Sequence, residues 1–432
     1  MHCPHSRGTR FATSGYWECQ RSPDQRPHGY SPFGLAKTVS YTVLNKSQIE
    51  TLGKEGALED LTSSGSRKIP ALTGIRGYAA YWVVLFHVGF LTSNVRSSRE
   101  IGNLIVVRSG YLGVDLFFIL SGYVLTLTYG KNLRTLNWPA LRAFAIGRLF
   151  RILPLHWLVL VTFVIASPWL IGNMGSSDPR TLGGLLASFF LVQSWVGIPL
   201  VWNGPAWSLS AEWLAYLGFP FMAVGIMRIQ KIRTALILLF VGLGAFAALC
   251  LFSHQPGLDH TRKLGLLRCL FEFPAGMLIC RTEQLRPLTR QIANRLFVIG
   301  AALLIPALAS TRLEVLALPA FSLVIASCAA EAGIAERIFG SRPAFFLGEI
   351  SFSIYLVHFL LMKLAIRVAD VVDPGDTTML VALLVGVAML VIPIAWITWR
   401  WIEIPAVRWG RTFTKRHAFQ KQHERCSLRR GT

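Results

Sequence analysis

Arg76 and His87 stand in one apolar run, 72–90, "LTGIRGYAAYWVVLFHVGF". Eleven residues on a helix make close to three turns, so the two side chains share a face about 16 Å apart. Ionisable groups in such surroundings are costly and mark candidates for function. An arginine one turn inside the run suits an anion, and a deeper histidine suits proton transfer or nucleophilic attack. The plain alternatives are an arginine that snorkels to the interface and a histidine hydrogen-bonded across a helix bundle.

Other segments carry chemistry of the same kind. In "YLGVDLFFILSGY" (111–123), Asp115 either caps a helix N-terminus or fixes the tautomer of His87. In "RLFRILPLHWL" (148–158), Arg148 and Arg151 are one turn apart. Two guanidinium groups on one face suit phosphate or pyrophosphate, with ordinary cytoplasmic anchoring as the alternative. In "WNGPAWSLSAEWLAYLGFP" (202–220), Ser208, Glu212 and Tyr216 recur every four residues, flanked by Trp202, Trp207 and Trp213. Placed near the outer surface, this face suits a sugar; a tryptophan interfacial belt is the alternative. Arg268 and Glu272 are spaced to pair with each other. Ser351, Tyr355, His358 and Glu403 read as packing and polar glue.

The elements that position these groups are membrane helices. Of 432 residues, 53% are hydrophobic and 15% charged, and 77–95, 234–258 and 379–399 contain no Asp, Glu, Lys or Arg. Each stretch is long enough to cross a bilayer. The net charge of +21 is spread as short runs between apolar segments, a topological pattern that argues against nucleic acid as a partner. Seven cysteines, scattered without paired spacing, predict neither a disulfide framework nor a metal site.

Apolar segments near 71–91, 112–129, 149–170, 182–201, 205–227, 234–253, 264–281, 296–311, 314–331, 344–366 and 378–401 give eleven candidate spans. Parity excludes one. If the weak, glycine-containing 182–201 is re-entrant or surface-lying, "RIQKIR", "RTEQLRPLTRQIANR" and the basic tail all fall inside, and "DVVDPGD" faces out. The predicted fold is an all-α polytopic bundle of about ten transmembrane helices with one re-entrant or interfacial segment. Residues 1–67 are expected to form a polar, disordered cytoplasmic extension, 68–410 the membrane domain, and 411–432 a basic cytoplasmic tail.

The quoted motifs, followed by "LGEISFSIYLVH" and "RWIEIP", resemble in order those of the acyltransferase 3 family of membrane-bound O-acyltransferases. The likeness covers roughly 68–410. It implies a ten-helix bundle in the bacterial inner membrane that moves an acyl group, most often acetyl, from cytoplasmic acyl-CoA. The implied acceptor is a hydroxyl of a saccharide or glycolipid at the outer face, or in some members a macrolide. By this resemblance His87 is the essential histidine, with Asp115 and Glu212 as its catalytic companions. Arg76 of the Arg-x10-His motif and Arg148 and Arg151 of the Arg-x-x-Arg motif bind acyl-CoA, while Trp207, Ser208 and Tyr216 hold the acceptor. The expected partners are the bilayer, acyl-CoA and the acceptor, with no metal. His156 stands where a tyrosine is usual and receives no role. Two other classes compete: a transporter or flippase of a polar lipid, which moves substrate without coenzyme A turnover, and a membrane scaffold that tolerates His87→Ala.

Overall fold

The computed structural model describes residues 68–92, 103–170, 181–197, 202–252, 258, 265–372 and 377–414, and every regular element among them is helical. In chain order the principal helices are α1 Pro70–Thr92, α2 Gly113–Tyr129, α3 Trp138–Leu170, α4 Leu182–Phe189, α5 Ala206–Met227, α6 Ile232–Leu251 and α7 Gly265–Leu285. They continue as α8 Arg290–Ala309, α9 Ala317–Ala329, α10 Ile334–Phe339, α11 Arg342–Glu349, α12 Ser351–Val372 and α13 Thr377–Thr398. The expected N-terminal extension and all but 411–414 of the expected tail lie outside the described residues.

The bundle turns apolar side chains outward and encloses several of its ionisable ones within a largely hydrophobic core. Phe240, Val241, Val298, Ile305, Met389 and Leu390 are exposed, whereas Asp115, Glu272 and His358 are completely buried. Among the described residues seven helices are long and apolar enough to cross a bilayer: Ile105–Tyr129, Trp138–Leu170, Ala206–Met227, Ile232–Leu251, Arg290–Ala309, Ser351–Val372 and Thr378–Thr414. The chain is thus an all-α polytopic membrane protein. With 23 and 21 residues, α1 and α7 have the length but not the apolarity, because α1 carries Arg76 and His87 and α7 carries Arg268, Glu272, Arg281 and Glu283. A count near ten is reached only if these two and the shorter Glu314–Ala329 also cross. The eight residues of α4 rise only about 12 Å, too little to span.

α1 lies against α2, α11 and α12, and α2 makes its closest approach to α7. Glycine permits that approach. A Cβ on Gly122 would collide with the carbonyl of Phe273, and one on Gly276 with the carbonyl of Ile119, so the two backbones touch directly. This contact places Asp115, two turns before Gly122, level with Arg268, about two turns before Gly276. Gly348 does the same between α11 and α1, where a Cβ would strike the carbonyl of Thr73. The close fit brings Arg76 near enough to donate to the Gly348 carbonyl at 3.3 Å.

Candidate active site

A cavity of about 130 Å³ opens between α1, α2, α3, α5 and α12. It gathers Arg76, Arg148 and Arg151 with Ser121, Ser208, Glu212, Tyr216 and Tyr355, set in an apolar wall that includes Phe117, Phe118 and Leu209. Helical period explains the grouping. Arg148 and Arg151 are three residues apart on α3, and Ser208, Glu212 and Tyr216 are four apart on α5, so each set presents one face.

Each arginine is held differently. The Arg148 guanidinium lies over the rings of Tyr129 and Tyr216, 5.4 and 6.0 Å from their centroids, and donates to the Tyr129 hydroxyl at 3.4 Å. Its Nε is buried without a hydrogen-bond partner. Arg151 forms an ion pair with Glu403, whose second oxygen accepts from the Ser353 hydroxyl at 3.1 Å. Glu403 sits in a single π-helical turn, Trp399–Glu403, and is 2% exposed. Such a turn re-aims the side chains that follow it, and here it ends α13 with a carboxylate facing α3. Sequence reading treated Glu403 as packing; a π turn leaves no periodic signature by which to find this role.

Opposite the arginines, the Tyr216 hydroxyl donates to Glu212 at 2.6 Å and lies 3.3 Å from the Ser121 hydroxyl. Ser208 contacts the Tyr355 hydroxyl at 2.6 Å, and Tyr355 donates to the Pro205 carbonyl at 2.9 Å. Ser208, Glu212 and Tyr216, expected to face a sugar, line the same cavity as the arginines. Trp207 does not line it. Its ring covers Arg268, 5.6 Å from the guanidinium carbon.

Asp115 is placed otherwise than expected. It neither caps a helix by its side chain nor orients His87, but accepts from Arg268 Nε at 2.8 Å and Nη2 at 2.7 Å. The predicted Arg268–Glu272 pair gives way to this bidentate one, because close packing of α2 on α7 sets the two groups face to face. Glu272 is completely buried beside the same pair.

His87 lies beyond the cavity wall. Its Nδ1 is 2.9 Å from the Val83 carbonyl, a group that can only accept, so Nδ1 carries the proton and Nε2 the lone pair. The Phe86 and Phe359 rings meet it edge-on, with centroids 5.1 and 5.7 Å away. The unexpected neighbour is His358, whose Nε2 is 3.4 Å from His87 Nδ1. Tyr355 links the two regions, lining the cavity while its ring lies 5.8 Å from that of His358. The departure at His156 is structural: its Nε2 donates to the Ser188 carbonyl at 2.8 Å and fastens α4 to α3, helped by Trp157 stacked on Phe189. Among the described residues no group of three or more His, Cys, Asp or Glu gathers as a metal site would require.

Residues 69–400 match the family model described as an acyltransferase domain, acyltransferase 3. The peptidoglycan O-acetyltransferase OatA of Listeria monocytogenes is 26% identical over 80% of this chain and 57% of its own length. The acyltransferase MdmB of Streptomyces mycarofaciens is 34% identical over 35% of this chain and 38% of its own. The putative peptidoglycan O-acetyltransferase YrhL of Bacillus subtilis is 25% identical over 71% and 51%. The chain thus spans about half the length of these relatives or less. No solved structure matches it.

Proposed function

Since the chain belongs to the acyltransferase 3 family and is a membrane-embedded acyltransferase, we propose that it moves an acyl group, acetyl foremost, from acyl-CoA to a hydroxyl of a saccharide or glycolipid at the outer face. The observation that carries this reading is the gathering of three guanidinium groups, Arg76, Arg148 and Arg151, in one cavity, with Tyr355 in its wall beside the His358–His87 pair. Guanidinium forks suit phosphate oxygens, and the unpartnered Nε of Arg148 is a donor in want of an acceptor. The phosphates of coenzyme A bind at this basic end. The cavity is too small for the nucleotide, and its apolar wall suits the uncharged pantetheine arm. Glu212, braced by Tyr216, limits the positive charge and positions Arg148 and Arg76. His87 receives the acceptor proton on Nε2 and returns it to the departing sulfur. In this reading ten spans cross the inner membrane, α4 lies re-entrant or at the surface, and both termini are cytoplasmic.

Purified protein in nanodiscs, given acetyl-CoA and a panel of glycans, should release free coenzyme A with at least one acceptor. His87→Ala, with an unchanged melting temperature, should not. A His87→Ala protein that turns over acetyl-CoA like wild type would remove the histidine from the reaction.

A further inference from the structure

His358 is 0% exposed, and its ring lies 5.0 Å, centroid to centroid, from that of His87. Its Nδ1 is 3.2 Å from the carbonyl of Ile354, one turn earlier on α12. A carbonyl accepts and cannot donate, so this nitrogen also carries its proton, and Nε2 of His358 is a lone pair. That lone pair faces Nδ1–H of His87 at 3.4 Å. The His87 proton is therefore shared between the Val83 carbonyl of its own helix and His358 of another.

Resting on the acyltransfer reading above, we propose that His358 is the positioning residue of the reaction. It adds a second acceptor to the Val83 carbonyl for the His87 Nδ1–H and so holds the ring with Nε2 turned to the reacting groups. In the step it assists, the acceptor hydroxyl oxygen bonds to the acyl carbon as its proton passes to His87 Nε2. The carbon–sulfur bond breaks, and the same proton moves to the coenzyme A sulfur, leaving both histidines neutral. While His87 is briefly an imidazolium, its Nδ1–H is a charge-assisted donor, and the His358 lone pair is the second acceptor that steadies it. The part is one that a carboxylate commonly plays beside a catalytic histidine. Here the carboxylate that the sequence offered for this part, Asp115, is occupied by Arg268.

The test compares His358→Leu and His358→Gln with wild type, each as full-length protein in nanodiscs. Acetyl-CoA turnover, KM for acetyl-CoA and melting temperature are measured. Leucine fills the space but accepts no hydrogen bond, and kcat should fall roughly tenfold to a hundredfold with KM within about twofold of wild type. Glutamine offers an amide oxygen near the position of Nε2 and should recover most of the rate. Histidine 15N shifts give a readout independent of turnover: the His87 Nδ1 resonance should move in His358→Leu and return toward its wild-type position in His358→Gln. Wild-type turnover in His358→Leu would overturn the proposal. So would an unchanged His87 Nδ1 shift in all three proteins, or a His358→Gln protein as slow as His358→Leu with melting temperature unchanged. Loss of the acyltransfer reading would show separately, as no release of coenzyme A by wild type with any acceptor.

Discussion

Arg268 grips Asp115 with two hydrogen bonds, 2.8 and 2.7 Å, between helices whose backbones touch at Gly122 and at Gly276. Both side chains are buried, and Trp207 closes over the guanidinium. The pair is a structural clamp that fixes α2 against α7 and so sets the wall of the cavity to which α2 contributes Phe117, Phe118 and Ser121.

Breaking the clamp from one side leaves an uncompensated charge in the bundle. Asp115→Asn and Arg268→Leu should each destabilise by about 3–5 kcal/mol. Asp115→Leu combined with Arg268→Leu should be less harmful than either charge left alone. Thermal unfolding in detergent checks the order, and a double variant worse than both singles would contradict it.

Gly276→Ala tests the contact that brings the clamp into register. Its new methyl meets the Ile119 carbonyl, part of a backbone that cannot step aside cheaply. A loss of about 1–3 kcal/mol is expected, measured by the same melting experiment.

The fold class and the basic side of the site are legible in the sequence because they rest on period and composition. Charge-free stretches announce spans, and Arg148 and Arg151 share a face by spacing alone. Partnerships between helices are not legible in this way. Asp115 sits at a position from which either His87 or Arg268 is imaginable, and only the glycine contact of α2 with α7 decides. His358 and Glu403 read as packing because each earns its partner by tertiary contact, through the approach of α12 to α1 and the π turn after α13. α1 and α7 fall short of a span's apolarity because each carries several ionisable side chains, Arg76 and His87 in one and Arg268, Glu272, Arg281 and Glu283 in the other.

Glu403→Gln frees Arg151, whose guanidinium is half-buried, from its carboxylate partner. The variant should melt lower than wild type, and coenzyme A should raise its melting temperature by more than it raises that of wild type, since a phosphate replaces the missing carboxylate. Equal ligand-induced shifts in the two proteins would place the phosphates away from Arg151.

Tyr216→Phe removes one hydroxyl and leaves the ring on which Arg148 lies. Glu212 then loses its 2.6 Å donor. Hydrogen bonds to a charged group contribute about 1.5–3 kcal/mol, so kcat/KM for acetyl-CoA should fall roughly tenfold or more with the fold intact. An unchanged kcat/KM would leave Glu212 without a part in acyl-CoA handling.

The most direct test of the central claim is equilibrium binding of coenzyme A to the protein in nanodiscs, wild type beside Arg148→Ala, with pantetheine as the phosphate-free control. Arg148→Ala should weaken coenzyme A binding by roughly tenfold to a hundredfold and leave pantetheine binding unchanged. Equal affinity of the two proteins for coenzyme A would contradict the assignment of the arginine cavity to its phosphates.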